Sequence, residues 1–189
     1  MRWLIASDIH GSALYCAELL AAWDREGAER MLLLGDVLYH GPRNDLPEGY
    51  APKKVIEQLN ARKDAIYCVR GNCEAEVDQM VLEFPVLADY LLLPVGSGCI
   101  YATHGHIYNE SHLPPMKRGD LLLHGHTHVS FCREQASFVC CNPGSVSIPK
   151  EDTPRGYILL EDRRLTWKTL AGEIYRTYLW EPERFQKNI

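Results

Sequence analysis

The chain has 189 residues, 46% of them hydrophobic and 24% charged, with a formal net charge of −5 and a pI near 5.9. That is chain enough for a buried core in a single domain spanning residues 1–189, and its acidic balance gives no electrostatic footing for extended nucleic acid. Seven scattered cysteines (Cys16, Cys68, Cys73, Cys99, Cys132, Cys140 and Cys141), without a CxxC spacing, argue against both a zinc knuckle and a disulfide framework, and point to a reducing, cytoplasmic setting.

In chain order, RWLIAS from Arg2, RMLLLGD from Arg30 and AIYCVRGN from Ala65 are continuous apolar runs that end in small or polar residues, as buried parallel strands do. The first begins too early to leave room for a secretory leader, and no apolar run approaches the roughly 18 residues of a membrane span. Between these strands, Cys16, Leu19, Leu20 and Trp23 recur at helical spacing and stop near Gly27. Pro52 suits the first turn of a second helix carrying Val55, Ile56 and Leu59. This is a βαβαβ unit with right-handed crossovers. Val77, Met80, Val81 and Phe84 predict a third helix that stops at Pro85. After it the spacing shortens, and CIYATHG, DLLLHGH, SFVCCN, RGYILLE and RLTWKTL read as strands with little helix between them. The expected architecture is two packed sheets flanked by helices. In the tail, Trp180 and Phe185 are read as exposed and available to a homo-oligomer contact.

Polar motifs fall where these strands end: DIHG at Asp8 to Gly11, GDVLYHG from Gly35, GNC at Gly71 to Cys73, THGH at Thr103 to His106 and GHTH at Gly125 to His128. Open α/β sheets place their chemistry there. In an extended chain residues two apart share a side, so Asp8 with His10, His104 with His106 and His126 with His128 each offer two side chains to one cavity. Any one motif could simply cap a helix or turn a loop. Five of the eight histidines gathered in three motifs, with two aspartates and an asparagine, require more than that. Nitrogen and oxygen donors suit borderline divalent metals, and there are too many of them for one tetrahedral ion. Two ions about 3.5–4 Å apart are what in-line phosphoryl hydrolysis uses.

The ordered set DxH, GDxx, GNx, H and GHTH resembles the calcineurin-like metallophosphoesterases. The stretches HGPRNDLPEGYAP (His40 to Pro52), RGNCEAEVDQM (Arg70 to Met80) and NPGSVSIPK (Asn142 to Lys150) are similar to the YfcE-type bacterial phosphodiesterases within them. The resemblance implies an α/β fold of four layers, an αββα sandwich. It implies two divalent metal ions, with manganese the expected one. Asp8, His10, Asp36 and His128 would hold the first, Asp36, Asn72, His104 and His126 the second, with Asp36 as the bridge. The implied reaction is hydrolysis of a small phosphodiester by a hydroxide held between the ions, with Asp36, Asn72 and His106 as catalytic residues.

Many relatives have GNH where this chain has GNC, so Cys73 stands where a histidine is thought to help the leaving group. It is read as a substrate-side residue whose thiol can donate a proton or whose soft thiolate could instead bind a metal; a small packed cysteine is the plainer reading. His106 is read either as touching the phosphate or leaving group or as orienting a ligand. The Pro- and Gly-rich loop after Asp36 offers Tyr39, His40, Arg43 and Asn44, with Arg43 able to fork onto a phosphate, unless it is a solvated surface loop. The alternative function is a non-catalytic metal-binding scaffold of the same fold, as in a small retromer subunit that resembles this family. A complete donor set favours the enzyme.

Overall fold

The structure, a computed structural model, describes residues 1–186. Two mixed β-sheets pack face to face and are flanked by helices, the expected αββα class. The first sheet contains β1 (Arg2–Ala6), β2 (Arg30–Leu33) and β3 (Ile66–Cys68) in parallel, linked through α1 (Ala13–Glu26) and α2 (Pro52–Asn60). Further along the chain come α3 (Glu76–Val81), then β4 (Tyr90–Val95), β5 (Gly98–Thr103), β6 (Leu121–Leu123), β7 (Phe131–Glu134) and β8 (Val139–Asn142), which form the second sheet in the order β4-β5-β6-β8-β7. β9 (Gly156–Glu161), β10 (Arg164–Thr169) and β11 (Ile174–Leu179) return to the first sheet, with β9 antiparallel to β1, and α4 (Glu183–Gln186) follows.

The continuous apolar runs are explained by burial on both faces. In β1, Leu4 and Ala6 face the helices while Ile5 faces the second sheet, and Met31 and Leu33 divide from Leu32 in the same way in β2. In the second sheet, Leu121 and Leu123 enter the inter-sheet core, whereas Leu122 lies on the outer face with Cys140 and Phe131. Local chemistry sets the helix ends: Ser12 caps α1 through Oγ to the Tyr15 N–H, Gly27 ends it in the left-handed region, and Pro52 opens α2.

Two expectations fail. The third helix is present, but Val77, Met80 and Val81 are exposed, and only Phe84, beyond the helix end, enters the core. A six-residue helix cannot bury a stripe that the adjoining loop already covers through Phe84. Trp180 and Phe185 are buried rather than exposed: both join the inter-sheet core, and the Trp180 indole N–H donates to the Gly119 carbonyl at 2.8 Å. Neither is available as an oligomer contact. Among the described residues no helix is long and apolar enough to cross a membrane.

Candidate metal centre

The five polar motifs meet in one place at the strand ends, although not in the extended conformation that the two-residue spacing predicts. β1 ends at Ala6, and Asp8, His10, Asp36, His126 and His128 all have positive φ, between 50° and 67°. Non-glycine residues pay about 1–3 kcal/mol each for such backbone, so the surrounding structure must fix it. Hydrogen bonds do so. The N–H groups of Asp8, His10 and Gly11 donate to the carbonyls of Gly35, Asp36 and Val37 at 3.1, 2.9 and 2.8 Å, locking the DIHG loop onto the GDV loop. The loops also approach too closely for side chains: a β-carbon on Gly35 would lie 2.6 Å from the Gly71 nitrogen, and one on Gly71 would lie 2.2 Å from Asp36 Oδ1.

Two donor clusters result, each with its ligand atoms within 4.8 Å of one another: Asp8 with His10 and His128, and Asp36 with His104 and His126. Asp36 Oδ2 lies between them, 3.7 Å from His10 Nε2 and 3.4 Å from His104 Nε2. Asn72 Oδ1 lies 3.1 Å from His104 Nε2, and His126 Nδ1 lies 3.2 Å from the same atom. His10 and His128 bring their Nε2 atoms within 3.2 Å of each other.

The far nitrogen of three histidines is held by backbone carbonyls: His10 Nδ1 by Tyr39 at 2.8 Å, His128 Nδ1 by Ile148 at 2.9 Å and His104 Nδ1 by Leu34 at 2.6 Å. Each carbonyl accepts a hydrogen, which fixes the tautomer and leaves the Nε2 lone pair pointing inward. Lone pairs converging on buried carboxylates need a cation. Asp8 Oδ1, fully buried, has no hydrogen-bond donor but lies 3.2 Å from His128 Nε2. The donor set therefore fits divalent metal ions.

Without metal, protons take part of that role. Burial opposes the charge on Asp8 and Asp36, yet the His10 and His128 imidazoles beside it hold Asp8 well below the usual carboxylate range, and His104 lowers Asp36. Burial opposes charge on His104 as well, but Asp36 and Asp8 raise it to about 9. Burial and the neighbouring His104 depress His126 to about 4 and also lower His106.

A cavity of about 330 Å³ is lined by Asp36, Asn72, His126 and His128 together with Arg43, Asn44 and Lys150. Arg43 and Asn44 thus share a cavity with the donors, as the loop reading expects. Tyr39 contributes its carbonyl instead of its ring, and the His40 ring packs edge-on against Tyr39 and Tyr50. His106 stands with its ring centre 5.4 Å from that of His104, its Nδ1 buried and unpartnered. Cys73 comes within 4.8 Å of the donor atoms of His10 and Asp36, and its N–H donates to Asp36 Oδ1 at 2.9 Å. Burial and the Asp36 charge push its thiol up.

Sequence reasoning missed several residues that hold this site. The buried Glu74 carboxylate accepts the N–H groups of Asp36 (2.9 Å), Val37 (2.8 Å) and Gly71 (2.5 Å), tying the GD and GN loops together. Ser145 and Ser147 donate their hydroxyls to the Asp8 carbonyl at 2.8 and 3.1 Å, and Asn142 Nδ2 donates to the Gly125 carbonyl at 2.8 Å. The only prior signals were the acid next to GNC and the small polar residues of NPGSVSIPK. Lys150, at the end of that stretch, adds a second cation to the cavity.

The calcineurin-like phosphoesterase superfamily domain matches residues 1–164. Over 162 residues, 86% of this chain and 88% of the other, the sequence is 44% identical to the phosphodiesterase YfcE of Escherichia coli K12. A solved structure of E. coli YfcE, described as a phosphoesterase, superposes with a TM-score of 0.92 at 41% identity, covering 96% of this chain and 100% of that one. A single-site variant of Vps29 from Entamoeba histolytica superposes with a TM-score of 0.58 at 22% identity, covering 88% and 89% of the two chains, and shares the fold alone.

Proposed function

The chain belongs to the calcineurin-like phosphoesterase superfamily, and from that premise we propose that it is a metal-dependent phosphodiesterase acting on a small phosphodiester, with two divalent ions, manganese by expectation, as its cofactors. Asp8, His10, Asp36 and His128 hold one ion; Asp36, Asn72, His104 and His126 hold the other. The observation that carries the reading is the position of Asp36 Oδ2, facing His10 on one side and His104 on the other. A bound pair of such ions lowers the pKa of water and neutralises charge on phosphoryl oxygens.

The chain's own residues supply the rest. Arg43 and Lys150 bring positive charge to the cavity that Asp36 and Asn72 line, and so bind and orient the phosphate. His106, kept neutral by burial and by His104, touches the phosphoryl or leaving group and can pass a proton. Cys73 lines the substrate side without acting as the acid. Seven free thiols suit a reducing, cytoplasmic setting. A non-catalytic scaffold role is disfavoured because all seven donors are present and converge.

The deciding experiment is a metal-by-substrate screen on chelator-stripped protein, with Asp36→Asn beside wild type. Activity should return with manganese, and Asp36→Asn should lose at least about 10³-fold while remaining folded, with reduced metal content. Turnover that is independent of metal, or unchanged in Asp36→Asn, overturns the dinuclear reading.

A further inference from the structure

A second donor cluster lies outside that centre, on the outer face of the second sheet. Glu110, His124 and Cys140 each offer one ligand atom, all within 4.8 Å of one another. β6 and β8 bring two of them together: Leu122 pairs with Cys140, and His124, directly after β6, extends the ladder by donating its N–H to the Cys141 carbonyl at 3.0 Å. Glu110 comes from the segment between β5 and β6, where its carboxylate is positioned by Arg133 Nη1 at 2.8 Å and Gln135 Nε2 at 3.2 Å.

His124 is the informative member. It is 3% exposed, and its Nδ1 lies 3.0 Å from the Gly125 carbonyl, which puts the ring hydrogen there. The remaining nitrogen, Nε2, is buried and has no hydrogen-bond partner among the described residues. An edge-on contact with Phe131 accounts for the ring's packing but leaves that lone pair unsatisfied. In a cluster that also offers a carboxylate and a buried thiol, a bound cation would satisfy that lone pair. A cavity of about 430 Å³, lined by Glu110, His124, His126, Thr127 and Arg133 among others, gives access to it.

We propose that Glu110, His124 and Cys140 form a separate, mononuclear site for a thiophilic divalent ion of the zinc class, with its fourth position open to this cavity. Mixed sulfur, nitrogen and oxygen donors select such an ion over the oxygen-preferring ones. Donor atoms around tetrahedral zinc stand about 3.5 Å apart, so the Glu110 segment has to close by no more than about 1.5 Å. Binding exchanges the Cys140 thiol proton for the metal–sulfur bond and releases that proton to solvent. The ion ties the segment that also carries His106 to β6 and β8. The site does not depend on how many ions the Asp36 centre holds.

Cobalt titration of the chelator-stripped full chain tests this, because a cobalt–thiolate bond gives a charge-transfer absorption that nitrogen and oxygen donors do not. Wild type and Cys73→Ser should both show the band, Cys140→Ser should lose it together with one equivalent of bound cobalt, and Glu110→Gln should move its midpoint at least about tenfold towards higher cobalt. If Cys140→Ser does not fold, the Glu110→Gln midpoint decides. No band in wild type, a band that persists in Cys140→Ser or vanishes in Cys73→Ser, or an unmoved Glu110→Gln midpoint overturns the proposal.

Discussion

Glu74 Oε2 accepts the backbone N–H of Asp36 at 2.9 Å, so the residue facing both donor clusters is held from behind by a second, fully enclosed carboxylate. Burial and the Asp36 charge raise Glu74 to about 7, and three backbone N–H groups hold it in place. Glu74→Ala strands those donors, at about 1–3 kcal/mol each. The expected result is a fall in the melting temperature of metal-free protein by about 10 °C, with a smaller fall in Glu74→Gln, which keeps one acceptor oxygen. A change under about 2 °C in the alanine variant shows that the loops hold themselves.

Metal binding should be coupled to protons. His104, raised to about 9 without metal, is protonated at pH 7, and an ion must displace that proton. The sign follows directly: affinity for manganese rises with pH up to about 9, by roughly tenfold per unit if one proton is released. His126, at about 4, is already neutral there and adds nothing. Calorimetric titrations at pH 7 and pH 8 in two buffers of different ionisation heat read both affinity and proton release. Equal affinities with no proton release contradict the proposed role of His104.

Cys73 is expected to be a bystander in proton transfer, since burial and Asp36 keep its thiol protonated and weakly acidic. On an activated diester such as bis-p-nitrophenyl phosphate, whose leaving group departs without help, Cys73→Ser should cost less than about tenfold. Cys73→His should raise activity selectively on esters with alkoxide leaving groups, where a positioned acid contributes roughly 10²-fold. A loss of several orders of magnitude in Cys73→Ser at matched metal occupancy makes the thiol catalytic.

Preference for diesters over monoesters is the remaining expectation, and Lys150 sharpens it. The sequence offers Arg43 as a phosphate contact, and Lys150 lines the same cavity in the structure. Even so, a dianionic monoester asks for more positive charge. The ratio of kcat/KM for bis-p-nitrophenyl phosphate to that for p-nitrophenyl phosphate should exceed one. A monoester advantage of tenfold, about 1.4 kcal/mol of barrier, reverses the assignment. Lys150→Ala should raise KM for the diester by about 3–30-fold, as loss of a charge-assisted contact would.

The strands that sequence periodicity missed, β4, β7 and β11, are all sheet edges. An edge strand pairs on one side only and stays half-exposed, so β7 (FCRE) and β11 (IYRTYL) lack the unbroken apolar run that marked β1, β2 and β6, while β4 carries Pro94, a residue at odds with a central strand. The exposed face of α3 and the burial of Trp180 were hidden for the related reason that a periodic stripe or a terminal tryptophan does not say which surface will cover it. Burial depends on neighbours that are distant in the chain.

By itself the sequence determined the central strands and the first two helices with their ends, and it marked the aspartates, histidines and asparagine that gather where the strands stop, because hydrophobic period, helix ends and side-chain chemistry are written within short windows. Tertiary structure decided how those donors are aimed. Asp8 and His10 do not use the strand's two-residue period; they sit in left-handed backbone held by Gly35, Asp36 and Val37. Ser145 reaches Asp8 across 137 residues and Glu74 reaches Asp36 across 38. Such partners meet only after the sheets have packed, and no local pattern encodes a hydrogen bond between loops that folding alone brings together.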